Sequence, residues 1–293
     1  MASLDQRLDE NVEGDFFVDS SCIDCDTCRF VAAAVFTRDE GIELSVVHHQ
    51  PASDAETERA LMALVACPTS SIGTVSDRSV REAATRFPEK VDENVFYCGY
   101  AAESSFGASS YLIQRPEGNW MVDSPRAAGP LLRNIEAMGG MRRMLLTHRD
   151  DVADHAKFAA RFGCERVIHR VEARGSLADV EVQLDIDEPQ KLDQDLWVIP
   201  VPGHTRGSVV YLYRDKYLFS GDHLWWSANV GALHASRRVC WYDWGKQIAS
   251  MERLLDFEFE WVLPGHGRRY QARSTAEMRR EIEAVIGRMR AAK

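Results

Sequence analysis

A chain of 293 residues, 45% hydrophobic and 9% aromatic, has the composition of a globular protein, with room for one large domain and a small one beside it. Its formal net charge of −10 opposes binding to a polyanion, so a nucleic-acid substrate is disfavoured. No apolar run approaches the ~20 residues that a membrane span needs, and the polar start MASLDQRLDENVEG lacks the apolar core of a secretory signal, so a cytoplasmic location is expected.

The seven cysteines are spread unevenly, with Cys22, Cys25, Cys28 and Cys67 in the first 67 residues and Cys98, Cys164 and Cys240 scattered behind. An odd count without a signal segment argues against a disulfide framework. The later three read as small buried apolar residues.

In chain order the first part reads as strand DFFVDSS, a cysteine loop, helix FVAAAVF, strand IELSVVHH, helix DAETERALMALVA, Cys67-Pro68 and strand SIGTVS. Cys22-x2-Cys25-x2-Cys28 with a remote Cys-Pro is an iron–sulfur pattern, because three thiolates at this spacing wrap one corner of a cubane and the distant one completes it. Zinc is the alternative, but zinc sites usually take their cysteines as two clips. Residues 13–80 resemble a single-cluster bacterial ferredoxin. That resemblance implies one [4Fe–4S] cluster on Cys22, Cys25, Cys28 and Cys67, since a second C-x2-C-x2-C is absent. His48 and His49 read as surface residues.

RFPEKVDENV reads as a linker, and a second domain is expected over 92–293. There VFYCGY, SSYLIQR and NWMVDS read as strands, GPLLRNIEAMG as a helix, MRRMLLTH as a strand, DVADHAKFAARFG as a helix and RVIH as a strand. LWVIPVPGH, SVVYLYRD, KYLFSGDHL and FEWVLPGHG continue as strands, with helix WGKQIASMERLLD before the last. Strands that first meander and then interleave with helices suggest two sheets sandwiched between helices, an α+β chain overall. Trp225, Trp226, Trp241 and Trp244 fall in one insert with His234, which reads as a packed helical lid.

Five strand ends stop at a metal-ligating residue type: Asp123, His148, His204, Asp222 and His266. Gly203, Gly221 and Gly265 directly precede three of them, and glycine permits a sharp turn and close approach. With PGHTRGS, SGD and PGHG, the pattern from Val95 onward resembles the metallo-β-lactamase superfamily, an αββα sandwich carrying one or two metal ions. The resemblance implies His204 on the first ion, His266 on the second, Asp222 bridging them, and Asp123 in support. A turn cap is the alternative for Asp123.

The family's T-H-x-H-x-D-H cassette is altered here to LLTHRDDVADH. His148 matches, Asp150 stands where the second histidine would be, and Asp154-His155 forms the closing pair two residues late. Asp151, Asp154 and His155 fall at i, i+3 and i+4, on one face if a helix begins near Asp151. Asp150 and Asp151 read otherwise as helix N-terminal acids. His169 is expected at the rim of the cleft, and a structural role is expected for His223.

The expected site is therefore His148, Asp150, Asp154, His155, His204, Asp222 and His266 around one or two divalent ions (zinc, iron or manganese), with Asp154 also a general base. The function this implies is metal-dependent hydrolysis of a small ester, thioester, lactone or amide. The alternative is a redox enzyme whose non-haem iron receives electrons from the cluster, which would require a redox partner; an inert electron-carrying scaffold is a further reading.

Overall fold

The computed structural model describes residues 2–292. Strand Phe16–Val18 pairs antiparallel with Ile72–Thr74, and α1 (Thr27–Val31) and α2 (Asp54–Ala66) lie between them in sequence. The helix expected over FVAAAVF is displaced. α1 starts directly after Asp26, which brings Cys28 into its first turn, and Phe36 already opens strand Phe36–Asp39, paired with Leu44–Val47. The Ser53 side chain accepts from the Glu56 amide to start α2, and the helix stops before the Cys67-Pro68 pair.

Two sheets follow. One runs Val182–Leu184, Glu165–His169, Arg143–Leu145, Trp120–Val122, Tyr111–Ile113, Val95–Tyr97 and Glu89–Asp92 in spatial order. The stretch expected as a linker thus supplies an edge strand, Glu89–Asp92, antiparallel to Val95–Tyr97. α3 (Gly129–Ala137) and α4 (His155–Phe162) make the crossovers between its parallel strands. The other sheet runs Gln190–Asp193, Leu196–Pro200, Val209–Tyr213, Tyr217–Gly221, Trp261–Pro264 and Tyr270–Gln271, with α5 (Trp244–Arg253) and α6 (Thr275–Ala291) behind it.

The period of two explains why these strands are apolar throughout. Leu196, Val198, Tyr211, Tyr213, Tyr217 and Phe219 join the core between the sheets, while Ile199, Val210, Leu212 and Leu218 join the core under α5 and α6. The first core also takes in Phe16, Val18, Val31 and Phe36 of the cysteine-bearing part, so its apolar interior is continuous with that of the sandwich. Phe30 meets Tyr97 edge-on at 5.4 Å. The tryptophan insert is a hairpin, Trp225–Ser227 against Ala232–His234, in place of the expected helix. Among the described residues no helix is long and apolar enough to cross a membrane.

Candidate metal centre and sulfur site

Every strand aimed at the cleft ends just short of its polar residue, so the side chains sit on loops fixed at one end by a sheet. His148 follows Arg143–Leu145, His204 follows Leu196–Pro200, Asp222 follows Tyr217–Gly221 and His266 follows Trp261–Pro264. Gly221 is held at φ +49°, with the Thr147 hydroxyl where a methyl group would stand, and Gly265 lies equally close to the Asp151 carboxylate.

The His148 and His204 rings stand edge to face, centroids 4.8 Å apart. Their Nε2 atoms lie 3.8 and 3.7 Å from Asp222 Oδ2, and 3.8 and 3.5 Å from Asp150 Oδ2. The other nitrogen of each ring is engaged. His204 Nδ1 donates to the Val239 carbonyl, and His148 Nδ1 lies 3.0 Å from the Thr147 hydroxyl, which also meets Asp123 at 3.0 Å. These outer partners leave both Nε2 lone pairs aimed into the cleft. Arg149 adds a tie at 3.1 Å to buried Glu172, whose other oxygen accepts from the Gly207 amide at 2.7 Å. Glu172 thus fastens the loop bearing His148 to the loop bearing His204.

Across the cleft, His266 Nδ1 lies 2.7 Å from Asp222 Oδ1, and His266 Nε2 donates to the Ser105 carbonyl at 3.1 Å. Asp151 is buried beside this pair. Neither of its oxygens, nor Nε2 of His148 or His204, has a hydrogen-bond partner among the described residues. Ligand atoms of His148, Asp150 and His204 lie within 4.8 Å of one another, as do those of His148, Asp151 and Asp222. Buried polar atoms without partners are costly, and cations held by these two groups would satisfy them. The residues fit one or two metal ions.

The electrostatics agree. Burial pushes His148 down to about 4, which keeps its ring neutral. Burial and the Asp222 charge push Asp151 well above the carboxylate range, and burial lifts Asp123 to about 8 against the bonds from Thr147. Asp222 is held well below its ordinary value because His266, His148 and His204 outweigh its burial. His266 is pushed up to about 10 because Asp222 and Asp151 outweigh its burial.

Two residues expected at this site lie elsewhere. Asp154 Oδ2 accepts from the Ala127 amide at 2.9 Å, and its other oxygen pairs with Lys157 at 2.8 Å. His155 Nδ1 accepts from Arg166 at 3.1 Å. The physical reason is the helix start: α4 begins at His155, and Ala153 at φ +25° breaks the chain before it, so Asp151 shares no helical face with them. Asp151 takes the place expected of Asp154. His169 is spent on the Ile186 carbonyl at 2.9 Å and on the Val171 amide, and His223 is buried with neither ring nitrogen bonded among the described residues. Phe106 and Trp241, 55% and 67% exposed, flank the cleft beside His266 and His204. Phe106 did not stand out in the sequence, because it sits on a loop with no periodicity, whereas Trp241 belonged to the tryptophan cluster read as a packed lid rather than a pocket wall.

The four early cysteines line one small cavity with Val18, Thr27, Ser45, Pro68 and Ile72, and none forms a disulfide. Asp24 and Asp26 adopt left-handed conformations between them, turning successive sulfurs inward. The amides of Asp24 and Ser71 point at Cys22 and Cys67 Sγ, at 3.5 and 3.3 Å. Burial pushes the Cys25 thiol up to about 11 and Cys28 higher still. Converging thiols that resist ionisation on their own fit a cationic iron–sulfur group, which would reverse that preference.

Comparison with known proteins agrees with both halves. Residues 18–74 match the family model described as the 4Fe-4S single cluster domain of ferredoxin I. No curated protein matches the chain. Among solved structures, an archaeal metallo-β-lactamase superfamily protein from Sulfolobus tokodaii superposes with a TM-score of 0.50 at 16% identity, covering 69% of this chain and 88% of that one. The B3 metallo-β-lactamase BLEG-1 gives 0.51 at 18% identity over 65% of this chain and 99% of its own. A metallo-β-lactamase from Hirschia baltica gives 0.51 at 16% over 67% and 95%. At such identities the likeness is one of fold. The chain carries a ferredoxin-type [4Fe–4S] domain ahead of a metallo-β-lactamase fold.

Proposed function

We propose that the protein is a metal-dependent enzyme that hydrolyses a small ester, thioester or lactone in the cleft between His204 and His266. The observation that carries this reading is a pair of ligand clusters sharing the partnerless His148 Nε2, one completed by Asp150 and the partnerless His204 Nε2, the other by Asp222 and the partnerless Asp151 carboxylate. His148, Asp150 and His204 would hold one cation, Asp151 and His266 a second, with Asp222 between. A bound cation there would lower the pKa of water and polarise the substrate carbonyl. Three imidazoles and three carboxylates suit iron or manganese as well as zinc.

The chain's own groups divide the remaining work. Asp150 is 48% exposed on its side chain and held ionised by His204, against its burial, which keeps it ready to bind a cation at the open side of the cleft. Phe106 and Trp241 offer apolar surface to the non-reacting part of the substrate. The cleft has a volume of about 680 Å³, a size for a small molecule.

The test is turnover of a panel of thioesters, lactones and esters by the full chain loaded with zinc or manganese. Hydrolysis that disappears in His204→Ala and in Asp150→Asn supports the reading. Retained hydrolysis in His204→Ala, or no turnover of any member by fully loaded protein, removes it.

A further inference from the structure

The sulfur site and the metal centre open onto the same cleft. Cys25 lines it together with His204, Asp222 and His266, whereas Cys28 and Cys67 are buried against the core. Between the two sites runs one short stretch of main chain, Ser105–Phe106–Gly107. At one end the Ser105 carbonyl accepts the hydrogen bond from His266 Nε2 at 3.1 Å. At the other, Gly107 abuts the cysteine loop so closely that a methyl group there would lie 2.6 Å from Cys25 Cβ and 2.9 Å from its Sγ.

The contact is built, not incidental. Gly107 sits at φ +84°, which favours glycine, and Phe106 is held left-handed at φ +47° despite its bulk. The Thr27 hydroxyl lies 3.3 Å from Cys25 Sγ and 3.4 Å from the Gly107 carbonyl, spanning the junction. Arg268, two residues after His266, pairs with Asp26 at 3.1 Å and fixes the far side.

We propose that Ser105–Phe106–Gly107 and His266 form a conduit for one electron between the Cys25 sulfur and a redox-active ion in the cleft. The inference goes beyond hydrolysis, which moves no electrons. With a cluster held by the four cysteines and iron held in the cleft, Cys25 would be the ligand at the seam and the Ser105–His266 hydrogen bond its connection to the cleft, so that one-electron reduction of the iron would be matched by one-electron oxidation of the cluster. No covalent bond forms or breaks. The cluster is refilled by an external one-electron donor of the reduced flavin or ferredoxin class.

The experiment uses the full chain with its cluster assembled and ferric iron in the cleft. It is mixed anaerobically with limiting dithionite as the probe donor, and both centres are followed by freeze-quench electron paramagnetic resonance. The proposal expects the ferric cleft signal to disappear in step with electron delivery, and to decay more slowly in a cluster-free Cys28→Ser chain. Coexistence of reduced cluster and ferric cleft iron throughout the time course overturns it, as does equally fast reduction without the cluster. Since Cys28→Ser could fail to fold, a second measurement needs only the wild-type chain. Manganese in the cleft should speed relaxation of the reduced cluster's signal relative to zinc, and identical relaxation is also contrary. Hydrolysis is assayed separately on zinc-loaded protein, so either reading can fail alone. A cleft that takes up no cation overturns both.

Discussion

His266 and Asp222 form an ion pair at the floor of the cleft, Nδ1 to Oδ1 2.7 Å, with the imidazolium standing where a second cation would bind. The ring is raised from an ordinary 6.5 to about 10, since the Asp222 and Asp151 charges overcome its burial. Between those two values the metal-free fold therefore holds a proton that a cation must displace. Cation affinity should rise by at least about tenfold per pH unit up to about pH 10, with the His266 proton, and that of Asp151 wherever its carboxyl is still protonated, released. Titration calorimetry in buffers of different ionisation heat reads that proton directly. Affinity independent of pH would contradict the assignment of His266.

The same pair sets a pH window for metal-free stability. His266, raised on folding, contributes fully below its unfolded value of 6.5, and that contribution is lost as pH rises through about 10. Asp222, depressed on folding, contributes above its ordinary 3.8 and loses its contribution as pH falls toward its folded value. Thermal unfolding of chelator-treated protein should show both flanks, and His266→Gln should shrink the alkaline one, to which Asp123 and Asp151, also raised on folding, contribute too.

Asp151 is the residue whose removal separates folding from function. Its buried carboxylate has no partner without a cation, so Asp151→Asn should leave the metal-free protein about as stable as the wild type while abolishing the added stability that metal gives it. Asp154→Asn should do the reverse. It weakens the tie to Ala127 by ~1 kcal/mol and leaves metal uptake unchanged. Thermal shifts with and without manganese distinguish the two, and metal loss in Asp154→Asn would restore the original reading of the cassette.

Thr147 relays Asp123 to His148 through one hydroxyl. Thr147→Val keeps the shape and removes the relay, so the His148 ring loses its orienting partner. Metal affinity should fall ~10–100-fold, read by competition with a chromophoric chelator. Unchanged affinity would make Asp123 and Thr147 a turn device only.

Phe106 and Trp241 carry apolar surface at the mouth of the cleft. Truncating either to alanine should raise KM by about tenfold for substrates with large apolar groups, with kcat nearly unchanged, since a contact that binds ground and transition state alike is removed. Equal loss for the smallest acyl substrates would count against their role.

Much of this was legible before the coordinates. Pro-Gly-His and Ser-Gly-Asp after apolar runs marked His204, Asp222 and His266, because a buried strand must end in a turn and a glycine shows where. The cysteine spacing marked the sulfur site just as directly. The reading faltered where local sequence allows two backbones. From Asp151 to His155 the residues support a helix, yet the chain spends Ala153 in a left-handed turn and starts α4 at His155, which brings Asp151 inward and carries Asp154 away. Helix FVAAAVF faltered likewise, because Phe36 gains more by pairing with Val47 across a hairpin than by prolonging a short helix. The meeting of Gly107 with Cys25 spans distant parts of the chain, and no local pattern carries it.

The central claim is that a metal centre sits between His148 and His204 on one side and Asp151, Asp222 and His266 on the other, next to the sulfur site. Metal analysis of the anaerobically purified full chain tests it most directly. The account expects metal beyond the about four irons of one cubane, and loss of only that excess in a His148→Ala/His204→Ala double variant. Iron at the level of a single cubane with nothing further, or an excess that survives the double substitution, would contradict it.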